Sequence, residues 1–196
     1  MKKYILVNCI TAISLILGSI AIYLAVHGEL YHSLAFAMLA SVSDSLDGYW
    51  ARKLGAESHY GAIFDTACDI VVYLVYPAII LSNVFGMNSA FGITLIVLFF
   101  MAGIYRLVRF TTSGFEVDGE KKYYLGMPVF YSHFAIMILI LVNMTSEGLI
   151  EFIGPILTAG LSIFMVTRWR FRKPTLILLG IYICIVAVLS IIMLSI

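Results

Sequence analysis

Long apolar runs separated by short polar stretches make up nearly the whole chain. Each run is close to the roughly 20 residues that an α-helix needs to cross the hydrocarbon core of a bilayer. The pattern predicts seven membrane-spanning helices at about residues 4–26, 30–50, 60–85, 90–110, 125–144, 149–167 and 175–196. No internal repeat or appended soluble domain is evident. Residues 1–196 are therefore expected to form a single domain of the all-α class, a polytopic helical membrane bundle.

Composition agrees with this prediction and excludes other classes of protein. Of the 196 residues, 62% are hydrophobic and 12% are charged, whereas soluble domains have about half apolar and a quarter charged residues. A soluble enzyme, a secreted disulfide scaffold and a disordered tail are thereby excluded. The three cysteines lie in apolar runs without a CxxC pair, which favours buried free thiols. The first run lacks a small-x-small cleavage site and is interpreted as an uncleaved span.

The basic residues predict the orientation of the helices. With the amino terminus inside, seven spans place the start of the chain and residues 51–59, 106–124 and 168–174 on the inner side. All twelve basic residues lie in or beside these segments: Lys2, Lys3, Arg52, Lys53, Arg106, Arg109, Lys121, Lys122, Arg168, Arg170, Arg172 and Lys173. Because cytoplasmic loops carry an excess of Lys and Arg, the amino terminus is predicted to be cytoplasmic.

Four aspartates lie within the predicted spans, on the same inner side. Asp44 and Asp47 are near the end of the second span, and Asp65 and Asp69 are near the start of the third. Their i, i+3 and i, i+4 spacings place each pair on one helix face, and ionisable residues in membrane helices indicate function. Oxygen ligands without a nearby His or Cys cluster favour a hard cation such as Mg²⁺ or Mn²⁺.

Neighbouring residues suit a phosphate ligand. Gly48 and Ala51 leave the backbone beside the carboxylates uncovered, and Arg52 follows two turns after Asp44, where it could offset phosphate charge. Gly61 would let the second and third spans pack closely. Two alternatives remain open. The acids could form interfacial ion pairs with Arg52, Lys53, Arg106 or Arg109, or they could line a cation channel, whose site would normally lie near the bilayer midplane.

These residues resemble the signature of the CDP-alcohol phosphotransferase family. The chain reads Asp44-x-x-Asp47-Gly48-x-x-Ala51-Arg52, then eight residues, then Gly61-x-x-x-Asp65-x-x-x-Asp69, which matches that signature at every fixed position. Asn8-x-x-Thr11 resembles a further element of the family, with Val7 where a proline is usual. The resemblance implies a six-helix catalytic core, a cytoplasm-facing site, two divalent metal ions (Mg²⁺ or Mn²⁺), release of CMP and a homodimer.

The resemblance also implies a role for each matching residue. Asp44, Asp47, Asp65 and Asp69 would hold the metal ions, and Asp69 would also be the general base that takes the proton of the acceptor alcohol. A further set would contact the CDP-lipid donor: Asn8, Gly48, Arg52, Ser58 and Gly61. A general base is needed because an alcohol is a poor nucleophile at neutral pH.

The acceptor alcohol is predicted from a second region. Arg106 and Arg109 lie one turn apart at the inner end of the fourth span. An arginine pair can bind a carboxylate or a phosphate, although anchoring at the lipid head groups is an alternative. Arg106-Leu107-Val108-Arg109-Phe110 and Tyr124-x-Gly126-Met127-Pro128 resemble elements of the phosphatidylserine synthase branch, which implies L-serine as acceptor and CDP-diacylglycerol as donor.

One departure from that branch follows Asp69, where Tyr73 and Tyr76 replace small residues. Other acceptors therefore remain open: glycerol 3-phosphate, inositol phosphate or choline. A non-catalytic membrane scaffold or a divalent-cation transporter is the alternative of another class. The expected location is a prokaryotic cell membrane, with membrane lipid as a partner and no nucleic acid.

Overall fold

The computed structural model describes residues 2–119, 121–143, 149–172 and 176–195, and most of them are helical. The helices are α1 (Lys2–Val26), α2 (Leu30–Leu54), α3 (His59–Ile70), α4 (Tyr76–Asn83), α5 (Ala90–Ser113), α6 (Val129–Asn143), α7 (Leu149–Val166) and α8 (Leu176–Leu194). A π-helical segment, Val71–Val75, joins α3 to α4 without a break. The seven predicted spans thus all correspond to helices, and the predicted all-α membrane fold is confirmed.

Among the described residues, three continuous helical stretches are long and apolar enough to cross a membrane by themselves: Lys3–Val26 of α1, His59–Asn83 (α3, the π-helical segment and α4) and Ala90–Ser113 (α5). α2 also has 25 residues, but its second half carries four charged side chains. Shorter apolar helices cover Val129–Val142, Ile150–Val166 and Gly180–Leu194. The chain is an integral membrane protein whose polar residues concentrate at a few helix ends.

The chain divides into two compact units, residues 1–72 with 174–196 and residues 73–173. In the first unit, α1 and α2 pack together along most of their length, and serine hydroxyls join them. Ser14 donates to the Ala40 carbonyl at 2.8 Å, Ser33 to the Ala21 carbonyl at 2.8 Å, and Ser43 to the Ile10 carbonyl at 3.0 Å. Such hydrogen bonds strengthen helix packing where lipid offers no hydrophobic driving force between helices.

The turn between α2 and α3 is built from capping residues, and it determines where the aspartates meet. Gly55 ends α2 in the left-handed conformation, at φ 55°, which glycine adopts without a Cβ clash. Ser58 caps α3 by accepting from the Gly61 amide at 3.0 Å. Lys3 of α1 donates to the Leu54 and Gly55 carbonyls at 3.2 and 3.0 Å. The start of the chain and the α2–α3 turn therefore lie on the same side of the first unit.

The second unit contains a small antiparallel sheet that the hydrophobic pattern did not predict. Its strands are β1 (Glu116–Asp118), β2 (Lys121–Leu125) and β3 (Arg170–Arg172), in the order β1-β2-β3. β1 and β2 come from one predicted inner segment and β3 from another. The sheet therefore brings these two segments together on the same side of the second unit.

Candidate active site

Three of the four predicted aspartates form a group in the first unit. Ligand oxygens of Asp44, Asp47 and Asp65 all lie within 4.8 Å of one another. The short turn between the helices brings the last turns of α2 beside the first turns of α3. Asp69 lies one turn beyond Asp65 and is not in this group, although all four carboxylates interact electrostatically with the buried Cys68 thiol. The metal-binding and general-base roles of Asp69 remain predictions.

The Asp47 carboxylate fits a bound cation. Its residue is only 3% exposed, and its Oδ2 atom is buried without a hydrogen-bond partner. A buried polar atom of this kind costs free energy unless a partner satisfies it. Among the described residues, Asp47 and Asp65 form no ion pair within 4.0 Å, which argues against the interfacial ion-pair alternative for these two. A divalent ion held by the three carboxylates would supply the missing partner and offset their repulsion.

A cavity of about 220 Å³ adjoins this group. Most of the residues predicted to contact the donor or a metal line it, namely Asn8, Asp47, Gly48, Arg52, Ser58, Gly61 and Asp65. The rest of the lining is made by Val7, Thr11, Ala51, Ala56, Glu57 and Ala62. Small side chains thus form much of the wall, so a bulky ligand can reach the carboxylates.

Two glycines keep the cavity open. A Cβ atom on Gly48 would lie 3.3 Å from the Arg52 Nη1 atom, so the guanidinium lies directly over this glycine. A Cβ atom on Gly61 would lie 2.9 Å from the Ser58 Oγ atom and 3.5 Å from the Asn8 Oδ1 atom. Two predicted donor contacts, Asn8 and Ser58, therefore converge at Gly61, and a Cβ atom there would force the Ser58 oxygen to move.

The electrostatics of the cavity suit an anionic group beside a cation. The amino-terminal end of α3 carries the positive end of the helix dipole, and its first residues line the cavity. Ser58 accepts from the Gly61 amide and still has a proton to donate to a ligand. Arg52 is near enough to Asp47 and Asp65 to interact electrostatically with both. Positive charge is thus available beside the carboxylates.

Two polar residues of the cavity lining, Thr11 and Glu57, were given no role from the sequence. The Thr11 hydroxyl donates to the Val7 carbonyl at 3.2 Å and lies beside the Asp47 carboxylate. The Asn8-x-x-Thr11 spacing was a usable signal for it. Glu57 lies in the eight-residue spacer of the signature, and no local pattern marks it as a lining residue.

The two arginines predicted to bind the acceptor lie in the second unit, and their surroundings differ. Arg106 is 5% exposed, and its guanidinium carbon lies 5.2 Å from the Phe110 ring centre and 5.4 Å from that of Tyr124. Arg109 instead donates to main-chain carbonyls: Nη1 to Val166 at 3.0 Å, and Nη2 to Leu125, Met165 and Thr167 at 2.6, 2.9 and 3.2 Å. Arg109 thus has a structural role, and acceptor binding by either arginine remains a prediction.

Gly126 explains how Arg109 reaches these carbonyls. Its φ is 77°, and a Cβ atom would lie 2.6 Å from the Met165 carbonyl oxygen and 2.7 Å from that of Thr167. Its amide donates to the Trp169 carbonyl at 2.8 Å. The aromatic-Gly-Pro element that the sequence associated with the acceptor therefore packs against the end of α7.

The two tyrosines that depart from the serine branch form a buried cluster in the second unit. Their ring centres lie 5.4 Å (Tyr73) and 5.6 Å (Tyr76) from that of His133. All three residues are no more than 2% exposed. The departure therefore changes the interior of this unit rather than its surface.

Comparison with known proteins is consistent with this site. The family model for CDP-alcohol phosphatidyltransferases matches residues 4–191. A CDP-diacylglycerol–serine O-phosphatidyltransferase of Methanocaldococcus jannaschii is 35% identical over 120 residues, 61% of this chain and 52% of the relative. A protein of the same name from Bacillus subtilis is 31% identical over 153 residues, 76% of this chain and 81% of the relative. The chain thus spans about half the length of the first and most of the second.

Proposed function

The chain belongs to the CDP-alcohol phosphatidyltransferase family, and from that membership and the carboxylate-lined cavity we propose that it transfers a phosphatidyl group from CDP-diacylglycerol to a small polar alcohol. The observation that carries the proposal is the cavity itself. It combines two carboxylates of the Asp44–Asp47–Asp65 group, Asp47 and Asp65, with a guanidinium, a helix amino terminus and two glycines. This arrangement suits a diphosphate bound through divalent cations.

In the proposed reaction, the acceptor hydroxyl oxygen attacks the phosphorus that carries the diacylglycerol. A new P–O bond forms, the P–O bond to CMP breaks, and CMP leaves with the electron pair. Asp69 takes the hydroxyl proton as attack proceeds, which is the role that a positioned carboxylate can fill. Arg52 faces the diphosphate across Gly48, and Ser58 and Asn8 orient the donor near Gly61.

Asp44, Asp47, Asp65 and Asp69 would hold two divalent ions, Mg²⁺ or Mn²⁺. When bound, such ions neutralise charge on the diphosphate and on the departing CMP. The chain's own contribution is to hold its carboxylates close together and to line the cavity with small side chains. The donor head group can then enter the cavity while the acyl chains of the donor stay in the bilayer. Preorganised positive charge of this kind stabilises a transition state without reorganisation.

L-Serine is the favoured acceptor. It is supported by the names of both relatives described above and by the resemblance of residues 106–110 and 124–128 to the serine branch. An anionic alcohol such as glycerol 3-phosphate would suit an arginine equally well and is the alternative, beside inositol phosphate and choline.

We also propose that the protein lies in a prokaryotic cell membrane, with its amino terminus and its site on the cytoplasmic side, as the basic residues predict, and that it is a homodimer.

A CMP-release assay tests the proposal. The purified full-length chain in detergent receives CDP-diacylglycerol, Mg²⁺ or Mn²⁺ and one acceptor at a time from a panel. Release with serine alone supports the serine assignment, release with a phosphorylated acceptor replaces it, and no release with any acceptor overturns the enzyme proposal. Asp69→Asn should lower release by about a hundredfold or more. Asp118→Asn, an exposed strand residue of the second unit, is the matched control and should leave release unchanged.

A further inference from the structure

The ammonium group of Lys3 joins α1 to the turn between α2 and α3. Its Nζ atom donates to the Leu54 carbonyl at 3.2 Å and to the Gly55 carbonyl at 3.0 Å. Both carbonyls lie at the carboxyl end of α2, where main-chain acceptors lack partners within the helix and a cation interacts favourably with the helix dipole. The two bonds span 51 and 52 residues of the chain, so they hold one helix against the end of another.

The turn that Lys3 holds is part of the cavity wall. Ala56, Glu57 and Ser58 follow Gly55 directly, and all three line the cavity. These three residues belong to neither α2 nor α3, so no helical hydrogen-bond ladder fixes their backbone. Ser58 is also a proposed contact of the donor. The place of Ser58 therefore depends on how firmly the preceding turn is held.

The face of α1 that carries Lys3 also lines the cavity. Val7 and Thr11 follow Lys3 at intervals of four and eight residues, so the three side chains share one helix face, and both Val7 and Thr11 belong to the lining. On the same helix, the Asn8 Oδ1 atom is 3.5 Å from the position that a Cβ atom on Gly61 would take. α1 thus meets the α2–α3 connection at its beginning through Lys3 and at the start of α3 through Asn8.

We propose that Lys3 is a positioning residue for donor binding: its two hydrogen bonds hold residues 55–58 against α1 and so keep Ser58 where it contacts the CDP-lipid head group. Without them the turn would populate other arrangements, and the donor would have to restore the competent one. Its apparent affinity would fall by the fraction of the competent arrangement that is lost. The inference rests on the proposed function in taking this cavity as the donor site.

CMP-release kinetics of the purified full-length chain in detergent test the inference. Lys3→Met removes the ammonium group and keeps an unbranched side chain. It should raise the KM for CDP-diacylglycerol about fivefold, the factor that corresponds to the upper end of what an exposed cation contributes at a helix carboxyl terminus. kcat should stay at the wild-type value, because the carboxylates lie on α2 and α3 rather than on the turn. Lys3→Gln, which also removes the charge, should give the same result and replaces Lys3→Met if that variant is poorly folded.

Two comparisons separate positioning from a general effect of charge. Lys53→Met removes an exposed lysine from the last turn of α2, whose ammonium lies 5.5 and 5.0 Å from the ring centres of Tyr49 and Trp50, and should leave the KM unchanged. In a Ser58→Ala background, Lys3→Met should add less than about a twofold increase in KM, because residues that act through one contact are not additive.

Three kinetic results would overturn the inference. The first is a wild-type KM in Lys3→Met, or a loss confined to kcat. The second is an equal rise of KM in Lys53→Met, which would assign the effect to charge on this side of the protein. The third is a full additional increase in the Ser58→Ala background, which would exclude the route through Ser58.

Hydrogen exchange of the substrate-free protein distinguishes failure of this inference from failure of the proposed function. The amides of Gly55, Ala56 and Gly61 are hydrogen-bonded within the turn and at the start of α3. They should exchange faster in Lys3→Met and not in Lys53→Met, because the turn opens locally when its contact with α1 is lost. Faster exchange in Lys3→Met, together with a wild type that releases no CMP, would refute the proposed reaction and support the hold of Lys3 on the turn. Normal CMP release with unchanged exchange and KM in Lys3→Met would overturn the inference and leave the proposed function standing.

Discussion

Replacing Arg109 with leucine would remove the hydrogen bonds that join the end of α5 to β2 and to the end of α7. Nη1 forms one of these bonds, and Nη2 is shared among three carbonyls at 2.6–3.2 Å. Counting them as two full bonds from a charged donor, at about 1.5 kcal/mol each, gives a loss of about 3 kcal/mol. For a chain of this length, such a loss lowers the unfolding temperature by roughly 6–12 °C.

The assay is thermal unfolding of the purified protein in detergent. Arg170→Leu is the matched control, because Arg170 is an exposed arginine of the same unit that pairs with Glu116 at 2.5 Å and Asp118 at 3.6 Å. Exposed ion pairs contribute less than about 1 kcal/mol, so its unfolding temperature should change by less than roughly 4 °C. If Arg109→Leu unfolds like the wild type but loses acceptor-dependent CMP release, the structural role is refuted and acceptor binding is favoured.

Three further predictions concern the first unit. Gly61→Ala should raise the apparent KM for CDP-diacylglycerol about tenfold, because the new Cβ atom would lie 2.9 Å from the Ser58 oxygen. Gly160 has open space around it, so Gly160→Ala is the control and should behave like the wild type. Equal kinetics of the two variants would contradict this prediction. Asp47→Asn should stabilise the chelator-treated protein by about 1 kcal/mol, since it removes the charge from a buried carboxylate whose Oδ2 atom has no hydrogen-bond partner, and it should abolish stabilisation by added Mn²⁺. A lower unfolding temperature in chelator would refute that reasoning. Chelation of divalent ions should eliminate CMP release, and added Mg²⁺ or Mn²⁺ should restore it. Activity that survives exhaustive chelation would exclude a role for divalent ions in the reaction.

The helices and the aspartate group were predictable because their signals are local. Runs of about 20 apolar residues mark the spans. The spacing of Asp44 and Asp47, and that of Asp65 and Asp69, places each pair on one face of its helix. The turn that brings them together is also readable, because Gly55 and Ser58 are typical helix-ending and helix-starting residues. Sequence and structure agree where the determining contacts lie within a few residues of each other.

The contacts that were not predicted join distant residues. The strands have three to five residues, too short for an alternating pattern to stand out, and β3 follows β2 only after two intervening helices. The spacing of Arg106 and Arg109 indicates that they share a helix face, but it does not indicate their partners. One of the carbonyl groups that accept from Arg109 belongs to Val166, 57 residues away. Tyr182 lies in a uniformly apolar run, and its partner Ser41 is 141 residues distant.

The small sheet has a consequence for proteolytic mapping of the protein in membranes. Lys121 and Lys122 are exposed and would be natural sites for trypsin, yet they lie in the central strand β2, where they pair with Asp118 and Val117 of β1. Further along the same strand, Tyr123, Tyr124 and Leu125 pair with β3. Proteases cut segments that open locally, and these lysines are released only when the pairing of β2 with β1 opens. Trypsin should therefore spare this surface in the folded protein and cut it after denaturation. Protection from trypsin at these lysines reports on the sheet, and it is not a sign that the segment lies on the far side of the membrane.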